Sequence, residues 1–102
     1  MAHRVVWSPQ ALTDVEAIAE YIGKDSLFYA RAVVAKVIAA TRHLGQHPLS
    51  GRIVPEKRDP AFREVFAFSY RIIYRVEDGV VTIVAVVHGK RLLETNGEAE
   101  SS

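Results

Sequence analysis

The stretch that decides the fold is FREVFAFSYRIIYRVEDGVVTIVAVVHGKRLL, residues 62–93. Aromatic and β-branched residues dominate it, which is typical of strands with a half-buried, pleated surface. Glu77-Asp78-Gly79 predicts a hairpin turn, because Asp and Gly tolerate the positive φ that such turns require. The region of Ser69 allows a second tight reversal. We therefore predict a three-stranded antiparallel meander onto which the rest of the chain packs.

Alternation assigns faces to these strands. One face of the first strand carries Phe62, Phe66 and Phe68. One face of the second carries Tyr70, Ile72, Tyr74 and Val76, and the opposite face carries Arg71, Ile73 and Arg75. The third strand, 80–87, is almost entirely apolar, which predicts that it is covered on both faces. We expect the arginines to face outward.

The residues before the meander predict a strand and a helix. Residues 3–7 include β-branched and aromatic residues, which predicts a strand, and we expect this strand to join the meander. Ser8 caps the helix that follows, and Pro9 suits its first position because proline has no N–H to leave unpaired. The apolar stripe of this helix is Leu12, Val15, Ile18, Ala19 and Ile22. Gly23 is predicted as a left-handed C-cap.

A second helix is predicted from about Leu27 to Leu44, capped by Ser26 and ended by Gly45 and Pro48. Its apolar stripe is Ala30, Val33, Val34, Val37, Ile38, Thr41 and Leu44. The link between the helices is short, which predicts an antiparallel hairpin. The long connection that follows is rich in Gly and Pro, and this predicts a loop.

The predicted order is therefore β-α-α-β-β-β, an α+β fold in which a helical hairpin packs on a small antiparallel sheet. A chain of 102 residues suits one domain. We expect this domain to span residues 1–93 and to be followed by a flexible tail, 94–102.

Composition excludes several kinds of site. The chain has no cysteine, so it has no disulfide or thiolate site. Its four histidines are scattered, and the one helical spacing, His43 with His47, is interrupted by Gly45. We therefore expect no metal and no cofactor. No apolar run is long enough for a membrane span or a signal peptide, so we expect a cytoplasmic protein.

The residues with the most chemical potential are basic groups at the strand ends. They are Arg63, Arg71, His88, Lys90 and Arg91. Gathered at one end of a sheet, they could bind phosphates and even cleave RNA, with a histidine as acid or base. In the other interpretation Arg71 and Arg75 are exposed strand residues. They then pair across the sheet with Glu64 or Glu77.

Three segments carry a resemblance to a known family. They are YRIIYRVED at 70–78 with FRE at 62–64 before it, VVHGKR at 86–91, and SPQA at 8–11 with PLSGR at 48–52. In these the chain resembles the ParE/RelE toxin superfamily, and especially its ParE-like, plasmid stabilisation branch. Such proteins are the toxins of type II toxin–antitoxin modules. The resemblance implies the fold predicted above and a cognate, DNA-binding antitoxin of the ParD type or similar.

Two activities are known on this fold. RelE-like members cleave messenger RNA at the ribosome, and ParE-like members inhibit DNA gyrase. By resemblance, Arg71 and Arg91 match arginines of the nuclease branch, and His88 matches a catalytic histidine of some relatives. However, Phe62 and Glu64 stand where that branch places lysines, and a glutamate would repel phosphate. We therefore favour the ParE-like activity over the ribonuclease.

An antitoxin is expected to cover an apolar groove, by laying a helix into it or by adding a strand to the sheet. We expect Tyr21, Phe28 and Tyr29 to line this groove. A further interpretation is a module whose only activity is partner binding.

Overall fold

The computed structural model of the protein describes residues 2–90. Its elements, in chain order, are β1 Arg4–Trp7, α1 Pro9–Gly23, α2 Leu27–Gln46, β2 Arg52–Ile53, β3 Phe62–Ala67, β4 Tyr70–Glu77 and β5 Val80–His88. The two helices pack on a five-stranded sheet with strand order β1-β5-β4-β3-β2. No helix within the described residues is long and apolar enough to cross a membrane. The predicted tail, 94–102, lies outside the described residues.

The predicted α+β class and the antiparallel meander β3-β4-β5 are confirmed, with two corrections to the sheet. Strand β1 lies at one edge and pairs with β5 in parallel, so the sheet is mixed. Parallel pairing needs a long crossover, and the helices provide it. The predicted loop between α2 and β3 contains β2, in which Arg52 and Ile53 pair with Glu64 and Arg63 of β3.

Both predicted helix caps are present. The Ser8 hydroxyl accepts a hydrogen bond from the Ala11 amide at 3.0 Å, and the Ser26 hydroxyl accepts one from the Tyr29 amide at 3.0 Å. The predicted left-handed cap at Gly23 is wrong. This residue ends α1 itself, and the cap is Lys24 in a right-handed conformation with φ of −60°.

Helix α2 also continues two residues beyond the predicted end at Leu44, to Gln46. Gly45 is buried in its last turn because β1 passes close by: a Cβ on Gly45 would meet the carbonyl oxygen of His3 at 3.2 Å. The Gly45 carbonyl accepts a hydrogen bond from the His3 amide at 2.8 Å. Glycine is common at helix ends, but Gly45 lies within the helix and allows close contact between α2 and β1.

The core lies between the helices and one face of the sheet. On β4 this face is the predicted set of Tyr70, Ile72, Tyr74 and Val76. On β5 Val81, Ile83 and Val86 of this face are buried, whereas the residues of the other face are largely half-buried, so the predicted coverage of both faces is only partial. Two residues of the predicted helix stripes, Leu12 and Ile38, are exposed, and Ala11 is buried instead.

A β-bulge fixes the start of α1 to β5. The register between β4 and β5 skips Val84, which is left without a partner across the ladder. The Ser8 hydroxyl donates a hydrogen bond to the Val84 carbonyl at 3.3 Å. The Asp14 carboxylate accepts one from the Val86 amide at 2.9 Å. These bonds satisfy backbone groups of β5 beyond the last residue that pairs with β1.

Candidate functional site

Arg71 is buried in a network of charged side chains on the face of the sheet away from the helices. Its guanidinium contacts both oxygens of Glu56, at 2.8 and 2.9 Å, and its Nε donates to Glu64 at 2.7 Å. The second oxygen of Glu64 accepts from Arg52 at 2.5 Å. The two arginines and two glutamates sum to zero charge, so the network is neutral.

The centre of this network is buried. The Arg71 side chain is 4% exposed and that of Glu64 is fully buried. The hydrogen bonds that Arg71 donates to Glu56, supported by Glu64, raise the pKa of Arg71 above its usual value although burial acts in the opposite direction. The guanidinium is therefore a permanent cation that is held by two carboxylates. The expectation that Arg71 faces outward is wrong, because the connection before β3 folds over it and supplies Glu56.

The structure does not bring the predicted basic residues together at one end of the sheet. Residues directly opposite each other in an antiparallel pair share a face. Arg63 is opposite Tyr74 and therefore lies on the helix side of the sheet, whereas Arg71 is opposite Phe66 on the other side. His88 is opposite Tyr70, also on the helix side. Arg63 and Arg71, expected together around a tight turn, are thus on opposite faces.

Each remaining member of that set has local partners or lies elsewhere. Arg63 donates to the carbonyls of Pro60 and Gly51, at 3.1 and 3.0 Å, which holds the connection before β3. His88 is exposed, and its Nδ1 accepts from the Lys90 amide at 3.2 Å. Arg91 lies outside the described residues. The interpretation of paired strand charges fits in part: Arg71 pairs with Glu64 of β3 but is buried instead of exposed. Arg75 pairs at 3.4 Å with Glu77, which lies on the same strand and not across the sheet.

The residues proposed for antitoxin binding lie on an exposed apolar surface. Tyr21, Phe28 and Tyr29 are 72%, 84% and 46% exposed. Leu27 and Phe68, which the sequence did not indicate, extend this surface. Phe68, predicted on a strand face, instead lies in the β3–β4 turn with φ of 54°, and its ring meets Tyr29 edge-on at 6.0 Å. We call these five residues the apolar surface.

A cavity of 310 Å³ lies beside the apolar surface, between α1 and the end of β5. It is lined by Asp14, Ala17, Ile18, Tyr21, Tyr70, Val86, Val87 and His88. Burial raises the pKa of the Tyr70 hydroxyl, and the nearby Tyr29 and Tyr21 act in the same direction. Asp14 was not predicted as a site residue. Its place in this cavity follows from the packing of α1 on β5, which spacing alone does not reveal.

The described part of the chain contains no group of three or more His, Cys, Asp and Glu side chains that could hold a metal ion. His43 and His47, the pair with helical spacing, stack with ring centroids 4.6 Å apart. Helix α2 reaches Gln46, so this spacing is closer to helical than predicted from Gly45.

Comparison with known proteins assigns the family. A sequence model of the ParE toxin of the type II toxin–antitoxin system parDE matches residues 5–93. The chain belongs to this toxin family. The ParE/RelE resemblance seen in the sequence is therefore confirmed. A curated relative of this ParE-family toxin is the protein named Toxin RelE2 from Caulobacter vibrioides, which is 36% identical over 90 residues. The match covers 87% of this chain and 98% of that protein.

Solved structures share the fold of this ParE-family toxin. A chain of the chromosomal ParDE toxin–antitoxin system from P. aeruginosa superposes with a TM-score of 0.71 at 19% identity, over 85% of this chain and 96% of that one. A chain of the RelBE2 toxin–antitoxin complex from Mycobacterium tuberculosis superposes with a TM-score of 0.62 at 22% identity, over 86% and 99%. The fold described above is thus shared with both solved structures.

Proposed function

We propose that this toxin acts by binding and inhibiting DNA gyrase, without bond-making chemistry of its own, and that a cognate antitoxin neutralises it in the cytoplasm. The observation that carries the proposal is the state of Arg71. A guanidinium held by Glu56 and Glu64 is neutralised and is closed off from a phosphate. A nuclease that uses arginines to stabilise developing charge needs them exposed and convergent.

The separation of the other basic residues supports the same proposal. Arg63 and His88 are on the helix side of the sheet, opposite to Arg71, so the three do not converge on one scissile bond. General acid–base catalysis requires the acid and the charge-stabilising groups within hydrogen-bond reach of one substrate. The net charge of +1 is also small for a protein that grips nucleic acid by its phosphates.

The apolar surface supports an antitoxin partner. Four of its side chains are exposed at the connected end of the helical hairpin, and one of them, Tyr29, contacts the exposed Phe68 of the β3–β4 turn. Contiguous exposed apolar surface on a small domain marks an interaction site. The relatives of known structure come from toxin–antitoxin systems. An amphipathic helix is the partner that such a surface suits.

A gyrase supercoiling assay tests the proposed target. Purified toxin is expected to inhibit supercoiling of relaxed plasmid at micromolar concentration, and addition of the antitoxin is expected to restore it. The antitoxin is the product of a reading frame adjacent to the toxin gene, where one is present. Undiminished supercoiling at micromolar toxin contradicts the proposal.

The alternative function is a messenger-RNA endoribonuclease, which the relative named Toxin RelE2 favours. Exposed His88 is then the acid or base, with Arg91 as a second basic group. Transcript mapping in arrested cells tests this directly. Cleaved messenger RNA that becomes intact with His88→Ala supports the nuclease, whereas intact transcripts in cells arrested by the wild-type toxin exclude it.

A further inference from the structure

The cavity between α1 and β5 lies where the pairing of β1 with β5 ends. Strand β1 pairs with β5 only as far as Trp7 and Ile83. Beyond that point the outer edge of β5 faces helix α1 instead of a strand. The cavity opens here, next to Tyr21 of the apolar surface. A partner segment that covers the apolar surface would therefore pass the mouth of the cavity.

The size of the cavity suits a single long side chain. Its 310 Å³ is at the lower end of the range for ligand pockets, about 300–1,000 Å³. Its walls are mainly apolar or aromatic, from Ala17, Ile18, Val86 and the two tyrosines. Such walls bury a hydrocarbon stem and offer ring faces on which a cation stacks.

Among the described residues that line the cavity, Asp14 is the one acidic residue, and no lining residue is Lys or Arg. Its two oxygens accept hydrogen bonds from the Gln10 side chain at 2.8 Å and from the Val86 amide at 2.9 Å. Each carboxylate oxygen offers a second lone-pair site, so the group retains capacity for further donors. These bonds also hold the carboxylate in place, which lowers the entropy cost of binding.

The charge of α1 favours a cationic partner. The helix carries three acidic residues, Asp14, Glu16 and Glu20, and no Lys or Arg. A guanidinium suits the cavity because it stacks on aromatic rings and donates in a planar fork, while a lysine would donate as a point charge. His88, which also lines the cavity, is neutral when its Nδ1 accepts from the Lys90 amide, so it adds no opposing charge in that state.

We propose that this cavity, which we call the Asp14 socket, receives an arginine or lysine side chain of the antitoxin, with the charged head on Asp14 and the stem against Ile18 and Val86. The inference rests on the proposed antitoxin partner. It adds that the antitoxin segment that covers the apolar surface carries a basic anchor beside its apolar residues.

The test compares two substitutions that remove one negative charge from the same helix. Asp14→Asn is expected to weaken antitoxin binding at least tenfold, as expected for loss of a partly buried charged hydrogen bond. The exposed control Glu16→Gln is expected to change the Kd less than twofold. Tyr21→Ala removes a wall of the socket at a residue that is 72% exposed, so it keeps the fold and is also expected to weaken binding. Thermal unfolding confirms that each variant is folded.

A second measurement needs no antitoxin. N-acetyl-arginine methylamide, titrated at millimolar concentrations into ¹⁵N-labelled toxin, is expected to shift the amide signals of Ala17 and Val86. The neutral citrulline analogue is expected to leave them unchanged, and Asp14→Asn is expected to abolish the arginine effect. Equal shifts with the citrulline analogue, or no shift with either, overturn the socket.

The two proposals fail in different ways. If the antitoxin binds the wild-type toxin but Asp14→Asn and Glu16→Gln weaken it equally, the socket is wrong while the antitoxin partner stands. If no antitoxin binds the wild-type toxin, the proposed partner fails, and the arginine titration alone decides whether the socket takes a basic side chain.

Discussion

Glu56 and Arg71 lie 15 residues apart in the chain, and their side chains meet in a two-point ion pair over the face of the sheet that the helices leave uncovered. The pair holds the connection before β3 against β4. It also gives Arg71 a second carboxylate in addition to Glu64, which lies diagonally across the ladder on β3. The same contact therefore fixes a loop and removes a cation from the surface.

Glu56→Ala is expected to destabilise the protein by about 3 kcal/mol, because it leaves a buried guanidinium only partly compensated. The measurement is the free energy of unfolding in urea. The matched control is Glu77→Ala, which breaks an ion pair between exposed side chains and is expected to cost less than about 1 kcal/mol. Equal losses for the two variants contradict the role given to Glu56.

Gly51→Ala is expected to destabilise the fold by about 1–3 kcal/mol through overpacking. A Cβ at this position would lie 2.5 Å from the Glu64 carbonyl oxygen and 2.6 Å from the Tyr74 hydroxyl. The control is Gly79→Ala, where a Cβ meets nothing within 4 Å but φ is +75°. It isolates the cost of a left-handed residue, about 1 kcal/mol. If Gly51→Ala lowers stability less than Gly79→Ala does, the connection between α2 and β3 moves aside freely and the contact at position 51 is not tight.

Tyr74→Phe is expected to lower stability by about 1–3 kcal/mol, because the buried hydroxyl donates to the Pro48 carbonyl at 2.8 Å and accepts from the Gly51 amide at 2.9 Å. The exposed control Tyr21→Phe is expected to change the unfolding free energy by less than about 0.5 kcal/mol. Urea unfolding at neutral pH compares the two. If Tyr74→Phe lowers the unfolding free energy no more than Tyr21→Phe does, the two hydrogen bonds of Tyr74 do not contribute to stability.

Alkaline pH is expected to destabilise the protein, beginning near the usual tyrosine pKa of 10.0. Burial raises the pKa of Tyr74 in the folded state, although its hydrogen bond with Gly51 acts in the opposite direction. The unfolded chain then loses this proton first, so stability is complete below pH 10 and falls as pH rises through the folded pKa. Tyr70 contributes with the same sign. Unfolding curves between pH 8 and pH 11 measure the slope, which Tyr74→Phe is expected to reduce.

Phe28→Ser is expected to weaken antitoxin binding at least tenfold while changing the unfolding free energy by less than about 0.5 kcal/mol. Its ring is 84% exposed, so the fold does not depend on it. Leu49→Ser is the control, an apolar residue 60% exposed but outside the apolar surface. Calorimetric titration measures both. Similar affinities of the two variants would place the antitoxin on another part of the toxin.

Local signals predicted most of the fold. Alternation and the Asp78-Gly79 turn predicted the meander, and both serine caps are where the sequence places them. The parallel pairing of β1 at the edge of the sheet was not predictable. Nothing in residues 3–7 indicates which edge of the sheet this strand joins or in which direction it runs. The same holds for Glu56, which reaches Arg71 through the path of an irregular connection.

The separation of the basic residues could have been read from the sequence. A two-residue turn at Phe68 and Ser69 places Phe66 opposite Arg71 and therefore Arg63 opposite Tyr74. The prediction placed Phe68 in the strand instead of the turn, and this register was therefore not recognised. The Asp14 socket could not be found in this way, because it depends on how far β1 extends along β5 and on the packing of α1 beyond that point.

The pairing of residues 4–7 with residues 80–83 has a consequence for biosynthesis. During translation β1 leaves the ribosome long before residues 80–83 are made, and it has no strand to pair with until they emerge. Closure of the sheet is thus a late, long-range event, which slows folding. A newly made chain therefore closes its sheet only after residues 80–83 have left the ribosome, however early its first strand and both helices were made.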